Sequence, residues 1–387
     1  MDSDISDKVY QDQILPHVSR TFALTIPQLP DALRTAVTNA YLLCRIADTI
    51  EDEPALSAAE THLYMQEFKV AVYGGGAPVL LAREIERRLS EQTLPAERDL
   101  VSNMDRVIRI TLAQPERQRA AIQRCVELMC YGMPHFQHTA SLRGLPRGTD
   151  LDEYCYYVAG VVGEMLTELF CSHDPAIARH QAGLERLSTS FAQGLQMTNI
   201  LKDVWEDRRR GACWLPQDLF TRHGIDLATL QPIPHDPRFG AALRELIALA
   251  HAHLRNALAY TLLIPSSESG IRRFCLWAVG LAVLTLRKLE HNPAYTSGAE
   301  VKVTRSAVAA TRLLTGIALR HDWMLKGLFH WAARGLPLAE LPEIRLAPSP
   351  PVPFSEPITP YPATAVTPPT AVPVERARHQ SAGSSAT

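Results

Sequence analysis

Two short acidic clusters constrain this chain more than any other feature. Asp48 and Asp52 stand four residues apart, and so do Asp203 and Asp207. On a helix, side chains at this spacing share one face, where two like charges cost stability unless they meet something strongly positive. Mg²⁺ binds carboxylate oxygens, keeps several waters and bridges to substrate phosphates. The two pairs therefore predict a pocket that holds several Mg²⁺ ions and ionises a diphosphate ester.

Composition excludes several other classes of protein. The 387 residues carry a net charge of -2, so no basic face for nucleic acid is expected. Seven cysteines, an odd number without a Cys-x-x-Cys pair, indicate a reduced, cytoplasmic protein. The acidic N-terminus lacks the apolar region of a signal peptide. The longest apolar stretch, Phe274–Leu286, predicts a buried helix, because it is too short to span a bilayer.

The organisation of the chain predicts one all-α domain and a tail. Apolar residues recur at helical spacing through the body, and Pro30, Asp31 and Pro54 predict a helix from residue 31 to about 53. Ser188, Thr189 and Ser190 are the predicted caps of the helix that carries the second acidic cluster. Residues 348–373 include ten prolines. We therefore expect residues 1–341 to form the domain and residues 342–387 to form a proline-rich, disordered tail.

A polar stripe accompanies each acidic pair. Gln196 and Asn199 precede Asp203 and Asp207 at three- and four-residue spacing, beside apolar residues such as Leu195. For a stripe taken alone, a solvated helix face is the usual interpretation; the other is the wall of a wet cavity. The first cluster repeats the design, and this repetition favours the cavity. Its stripe contains Tyr41, Arg45, Asp48 and Asp52.

Basic and small residues offer further candidates, each with an ordinary alternative. Arg20, Arg45 and Lys202 lie near the clusters, and such groups suit phosphate oxygens, although Arg45 could equally form a salt bridge to Asp48. Gly160 and Gly163 follow Tyr154. These glycines indicate either close helix packing or room for a long apolar ligand, with tyrosine rings near a developing cation.

Taken together, these motifs resemble those of one family, the squalene and phytoene synthases, which join prenyl diphosphates head to head. The order and spacing of the motifs agree with that family over roughly residues 15 to 310. The matching segments are Ser19-Arg20-Thr21-Phe22, Tyr41–Arg45 with Asp48–Asp52, Tyr154–Gly163, and Gln196–Asp207.

The resemblance implies an isoprenoid synthase fold with a central cavity, two farnesyl diphosphates as substrates, and Mg²⁺ as a cofactor. It implies that Tyr154 steers the first step. Phe22, Val158, Leu195 and Phe274 would line the cavity. Metal ligands would be Asp48, Glu51, Asp52, Asn199, Asp203 and Asp207, with help from Glu206. The implied substrate-binding residues are Ser19, Arg20, Phe22, Tyr41, Arg45, Gln196, Asn199 and Lys202.

Within the family, the residues are most similar to those of the squalene synthase branch. That branch reduces presqualene diphosphate with NADPH, and Lys302 and Arg305 fall where it carries a basic strip linked to the nucleotide. Thr304 departs from that strip, so a branch that ends without hydride transfer stays open: dehydrosqualene, phytoene or presqualene diphosphate synthesis. An inactive relative that acts as an assembly partner is the alternative from another class, and the intact aspartates argue against it. A water-insoluble product implies peripheral contact with a membrane.

Overall fold

The computed structural model describes residues 2–19, 21–232 and 236–341, and helices account for most of them. No strand occurs in these ranges, and their β-type pairing is limited to an isolated bridge between Leu145 and Pro216. The prediction of an all-α fold is confirmed. The described helices are α1 (Asp2–Val18), α2 (Phe22–Thr25), α3 (Asp31–Glu51), α4 (Ala58–Val72), α5 (Pro78–Arg88), α6 (Pro95–Ser102), α7 (Met104–Leu112), α8 (Glu116–Thr139), α9 (Gly148–Cys155), α10 (Val161–His173), α11 (Pro175–Ala178), α12 (Gln181–Arg209), α13 (Gln217–Arg222), α14 (Pro237–Leu263), α15 (Ser269–His291), α16 (Arg305–Ala318) and α17 (Asp322–Ala332).

Helix α12 lies at the centre of the bundle. It packs against α9, α10, α14 and α15, and against a π-helical turn at Tyr156–Gly160 that joins α9 to α10. The turn falls inside the Tyr154–Gly163 motif, and π turns occur often at functional sites. A long helix enclosed in this way can present functional side chains to an internal space rather than to bulk water.

Close packing of α10 on α12 depends on Gly163. A Cβ at this position would lie 2.3 Å from the backbone oxygen of Ser188 and 3.2 Å from the Cβ of Ala192. No side chain larger than hydrogen fits at that distance without moving a backbone. Of the two interpretations of the glycine pair, close helix packing therefore describes Gly163.

The ends of the two helices that carry the acidic clusters differ in how well the sequence predicted them. Helix α3 covers Asp31–Glu51, close to the predicted range. Helix α12 begins at Gln181, so the prediction that residues 188–190 cap it is wrong. Ser188 and Ser190 are instead buried inside the helix, where tertiary contacts outweigh their preference for caps. Gly211, with a φ of 86°, follows its C-terminal end.

Helix α15 contains the apolar stretch predicted to be buried. Its 23 residues are long and apolar enough to cross a membrane by length and composition, yet 61% of the most apolar window is buried within the protein. All seven cysteines are buried and free. The predicted tail, residues 342–387, lies outside the described residues, so the domain boundary at 341 stays a prediction.

Candidate active site

The first acidic cluster lies at the C-terminal end of α3. Asp48 forms an ion pair with Arg45, with 3.6 Å between Oδ2 and Nη1, and its side chain is 37% exposed. Burial, together with the charges of Asp52 and Glu97 and against the effect of Arg45, raises the pKa of Asp48 to about 7. Burial, then Asp52 and Asp48, raises the pKa of Glu51 well above its usual range. The Oε1 atom of Glu51 is buried without a hydrogen-bond partner.

The second cluster lies near the C-terminal end of α12. Asp203 pairs with Lys202 at 3.0 Å, and Glu206 pairs with Arg209 at 3.0 Å. The backbone N–H of Gly298, in the loop between α15 and α16, donates to both carboxylate oxygens of Glu206, at 3.0 and 3.2 Å. A Cβ at Gly298 would lie 2.9 Å from Oδ1 of Asp203. The α15–α16 loop therefore rests directly on this cluster.

The two clusters face each other across a short distance. Burial and the negative charges of Asp203 and Asp52 together raise the pKa of Asp207 to about 7. Burial also raises the pKa of Asp52, while the positive charge of Arg210 opposes the rise at both aspartates. Two carboxylates shift each other's pKa only when they lie near each other. The fold thus brings together two pairs that are about 150 residues apart in the sequence.

Water reaches this region although helices surround it. The accessible residues of α12 between Gln193 and Asp207 are Gln193, Leu195, Gln196, Asn199, Lys202, Asp203, Glu206 and Asp207. Their neighbours in the same helix are buried, and α12 is enclosed by other helices. An accessible, mostly polar stripe on a helix packed among others would suit the wall of an open cavity. The cavity wall therefore stays the prediction for this stripe.

Tyr154 lies beside both clusters. Its ring stacks on Trp214, with 4.2 Å between the ring centroids and 8° between the planes, and meets Phe136 edge-on at 5.4 Å. Burial raises the pKa of Tyr154 well above its usual range, and the charges of Glu51, Asp52 and Asp207 contribute. The phenol therefore stays protonated at neutral pH. A rigid, neutral hydroxyl next to the acids can donate a hydrogen bond to a bound anion.

Several of the remaining predicted substrate-binding and lining residues contact one another. The Phe22 ring lies 5.0 Å from that of Tyr41 and 6.4 Å from that of Phe274, so Phe22 and Phe274 are adjacent as predicted lining residues should be. The backbone N–H of Phe22 donates to Oγ of Ser19, and Tyr41 donates to the carbonyl of Val18. Val158 and Leu195 are each partly exposed. Arg20 lies outside the described residues.

The two predicted nucleotide-binding residues lie on and just after the α15–α16 loop. Lys302 is exposed four residues after Gly298, the residue that contacts the second cluster, and Arg305 is the exposed first residue of α16. Both positive charges therefore stand on the segment that covers the Asp203–Asp207 side of the site. Their placement permits contact with an anion at the rim, and neither makes a described contact with the first cluster.

The chemistry of the donor set fits Mg²⁺. Oxygen donors dominate, the charges of Asp48 and Asp52 act on Glu51, and one buried carboxylate oxygen of Glu51 has no hydrogen-bond partner. Among the described residues, no three acidic, histidine or cysteine side chains converge closely enough to chelate a metal by themselves. Mg²⁺ bound through one or two carboxylates, with waters and phosphate as the other ligands, does not require such a group.

Three residues that act on the site were not among the predicted site residues. Glu97, from α6, forms an ion pair with Arg45 and its charge acts on Asp48 and Asp52. Trp214 stacks on Tyr154, and Arg210 acts on Asp52 and Asp207. Arg210 adjoins the second motif and could have been found from its position. Glu97 and Trp214 come from other segments, and no local pattern marks them.

Comparison with known proteins agrees with this geometry. The family model described as squalene/phytoene synthase matches residues 15–307 of the chain, which is well over half of it. The chain belongs to the squalene/phytoene synthase family. The predicted family membership is thereby confirmed, and the matched range contains all the acidic, aromatic and basic site residues described above.

Among related proteins, a squalene synthase of Schizosaccharomyces pombe is 29% identical over 289 residues, covering 73% of this chain and 59% of the relative. A squalene synthase of Botryococcus braunii is 29% identical over 315 residues, covering 78% of this chain and 63% of the relative. The chain thus spans about 60% of the length of these two family members.

Solved structures show the same fold. A structure of TcSQS with a ligand superposes with a TM-score of 0.67 at 22% identity, covering 85% of this chain and 98% of that one. A dehydrosqualene synthase in complex with a ligand superposes with a TM-score of 0.57 at 21% identity, covering 82% of this chain and 98% of that one. The predicted isoprenoid synthase fold is confirmed for this chain.

Proposed function

We propose that this chain is a squalene synthase that condenses two farnesyl diphosphates to presqualene diphosphate and reduces this intermediate to squalene with NADPH. The observation that carries the proposal is that two aspartate pairs, Asp48 with Asp52 and Asp203 with Asp207, lie near enough for the charge of Asp52 to act on Asp207, in a family whose related members are named squalene synthases. The cofactors, substrates and site residues are all parts of this proposal.

Each group in the site has a task in the proposed reaction. The aspartates, Glu51 and Asn199 would hold Mg²⁺, which supplies positive charge that stabilises the departing diphosphate. Arg45 and Lys202 would bind diphosphate oxygens. In the free protein, Arg45 pairs with Asp48 and Lys202 pairs with Asp203. The diphosphate would replace these aspartates as the partner of the two positive side chains. Glu97 would position Arg45 for this exchange.

The apolar and aromatic walls serve the carbocation. Phe22, Val158, Leu195 and Phe274 would hold the prenyl chains and exclude water, which would otherwise capture the cation. Tyr154 is held rigidly by Trp214 and Phe136, with its hydroxyl protonated. We propose that this hydroxyl hydrogen-bonds to the diphosphate and so guides the proton loss that closes the cyclopropane. Ser19, Arg20, Tyr41 and Gln196 complete the proposed substrate-binding set.

The first experiment tests the acidic pairs. Asp48→Asn and Asp207→Asn should each abolish consumption of farnesyl diphosphate at saturating Mg²⁺. Both should also raise the unfolding midpoint of the metal-free protein, since burial disfavours the charge that each removes. Asp12→Asn, at an exposed position of α1, is the matched control and should change neither quantity. Near-normal turnover in either active-site variant would refute the proposed metal cluster.

The second experiment tests the reductive step. Lys302→Ala should weaken NADPH binding and leave the first condensation intact, so that presqualene diphosphate accumulates at the expense of squalene. Lys8→Ala, an exposed lysine of α1, is the control. Products are measured from labelled farnesyl diphosphate with and without NADPH. If the wild-type protein makes the same hydrocarbon at the same rate under both conditions, the squalene assignment is wrong.

A second candidate function is the formation of dehydrosqualene, which ends by proton loss and needs no hydride. It is favoured by Thr304, which stands where a second basic residue is expected, and by the similarity to a solved dehydrosqualene synthase. The product analysis separates the two functions directly. A cytoplasmic location with peripheral membrane contact also stays a proposal.

A further inference from the structure

The outer face of α16 is apolar while its inner face is partly polar. Leu313 and Ile317 are 65% and 62% exposed. Thr311 faces the protein instead, where its methyl group would lie 2.7 Å from a Cβ at Gly280 of α15. The hydroxyls of Thr311 and Thr315 donate to the carbonyls four residues earlier, so they need no partner outside the helix. This arrangement inverts the usual polarity of a surface helix.

Helix α17 follows α16 directly, packs against it and also carries large exposed apolar side chains. Its inward side chains pack on a small apolar cluster around Leu258 and Leu276; they are Met324, Leu325, Leu328 and Phe329. The other side carries Trp323, 74% exposed, and Trp331, 60% exposed. Trp323 and Trp331 are eight positions apart, so their indoles lie on one side of the helix about two turns apart. Large exposed apolar side chains concentrated in one place mark an interaction surface.

Positive charge accompanies these apolar residues. The segment from Arg305 to Arg334 contains five basic residues and one acidic residue, in a chain whose net charge is -2. The acidic residue, Asp322, pairs at 2.7 Å with the buried Arg272 and is neutralised within the protein. Lys326 and Arg334 are exposed near the two indoles. The surface thus combines tryptophan, aliphatic and cationic side chains.

We propose that this surface, the α16–α17 face formed by Leu313, Leu314, Ile317, Trp323 and Trp331, docks on the interface of an anionic lipid bilayer. Indoles favour the headgroup level of a membrane, where the ring is partly buried and the N–H remains hydrated. Apolar side chains enter the acyl boundary, and neighbouring lysine and arginine side chains bind anionic headgroups. The inference is independent of the reaction that the active site catalyses.

Charge decides against two other occupants of this face. In a contact between two copies of the chain, the segment from Arg305 to Arg334 of each copy would bring a net charge of +4, and like charges at an interface oppose association. Residues 342–387 contain three glutamates and three arginines, so this segment offers no net negative charge. An anionic membrane supplies both the apolar medium and the opposite charge.

Tryptophan fluorescence tests the proposal without added labels. Of the five tryptophans, Trp205, Trp214 and Trp277 are buried, and only Trp323 and Trp331 are exposed. Vesicles of equal parts phosphatidylglycerol and phosphatidylcholine should shift the emission of the whole protein to shorter wavelength. Brominated acyl chains should quench that emission. Vesicles of phosphatidylcholine alone should give a smaller shift, and added salt should weaken binding. No shift and no quenching with the anionic vesicles would overturn the proposal.

Co-sedimentation with the same vesicles tests the named side chains. The double variant Trp323→Ser/Trp331→Ser should bind at least about tenfold more weakly than the wild type. Its unfolding midpoint should be unchanged, because both side chains are mostly exposed. The control Leu63→Ser/Leu80→Ser removes two other exposed apolar side chains, 51% and 63% accessible, and should bind like the wild type. Equal loss of binding in the control would show general surface hydrophobicity and overturn the assignment.

Two further outcomes would identify another occupant. Sedimentation velocity without lipid could reveal a dimer that the tryptophan double variant loses; with no vesicle binding, that result assigns the α16–α17 face to a second copy. Deletion of residues 342–387 could expose the two indoles to acrylamide quenching that the full chain resists; that result assigns the face to the tail. Either result overturns the membrane proposal.

Discussion

A single added methyl group at the contact between α10 and α12 should measurably loosen the domain. In Gly163→Ala the new Cβ would lie 2.3 Å from the Ser188 backbone oxygen. Cβ contacts essentially never fall below 3.0 Å, so the two helices must separate by about 0.7 Å or more. Because the atom it meets belongs to a backbone, no rotamer change relieves the contact. Overpacking of this kind costs ~1–3 kcal/mol.

The matched control is Gly316→Ala. Both glycines are inside helices, but no atom lies within 4 Å of a Cβ built at Gly316. Alanine gains ~1 kcal/mol over glycine at an interior helical position, and both variants receive that gain. The difference between the two variants therefore isolates the packing cost, ~1–3 kcal/mol in favour of Gly316→Ala.

Urea unfolding followed by far-ultraviolet circular dichroism measures this difference. We expect the unfolding midpoint of Gly163→Ala to lie below that of the wild type and the midpoint of Gly316→Ala to lie at or above it. Helix α12 carries Asp203 and Asp207, so displacement by Gly163→Ala should also reduce turnover in the proposed reaction. Equal stability of the two alanine variants would refute the close packing of α10 on α12.

Three further predictions concern burial, pH and the tail. Arg272→Met should destabilise the domain by ~3–5 kcal/mol, since it leaves the carbonyls of Ile264 and Leu319 and the carboxylate of Asp322 without their buried donor; a loss below about 1 kcal/mol in urea unfolding would contradict this. Burial lowers the pKa of His253 from 6.5 to about 4, so the unfolded chain binds its proton first on acidification. The neutral His253 therefore contributes its full stability above pH 6.5, and this contribution is lost as the pH falls toward 4. The lost stability amounts to at most about 3 kcal/mol. In His253→Asn this loss should be absent, so the unfolding free energy should depend less steeply on pH. Deleting residues 348–387 should leave the unfolding midpoint unchanged, because the composition of that segment does not suit a core; a lower midpoint would show that it packs on the domain.

Local spacing predicted the features that depend on a single helix. The aspartate pairs, the range of α3 and the helical class follow from periodicity and from Pro and Gly signals, and physical rules about short segments suffice for them. The predicted start of α12 was wrong because Ser188 and Ser190 are residue types that commonly cap helices. Their hydroxyls are instead satisfied inside the bundle, that of Ser188 by the Glu185 carbonyl and that of Ser190 by His253 and Asn256.

Features that join distant segments could not be predicted in this way. Glu97 reaches Arg45 across 52 residues, and Trp214 stacks on Tyr154 across 60. Nothing near Glu97 in the sequence distinguishes it from other glutamates at the start of a helix. Only the packing of α6 beside α3 makes it part of the site. The family resemblance predicted that the two acidic pairs lie near each other, but it did not predict these supporting contacts.

Helices α12 and α16 show why periodicity alone cannot assign an environment. A 3.6-residue repeat fixes which residues share a helix face, and it leaves open what that face contacts. The polar stripe of α12 is accessible although other helices pack around α12. The apolar stripe of α16 points outward, while the hydroxyls of its inner threonines donate to backbone carbonyls of the same helix. A polar stripe usually indicates bulk solvent and an apolar stripe usually indicates the protein core, and neither stripe follows this rule. For α12, the nearby charges of Asp52, Asp203 and Asp207 support our proposal that the medium beside its stripe holds cations and phosphate. For α16, the tryptophans and basic residues beside its stripe make an anionic membrane the corresponding inference.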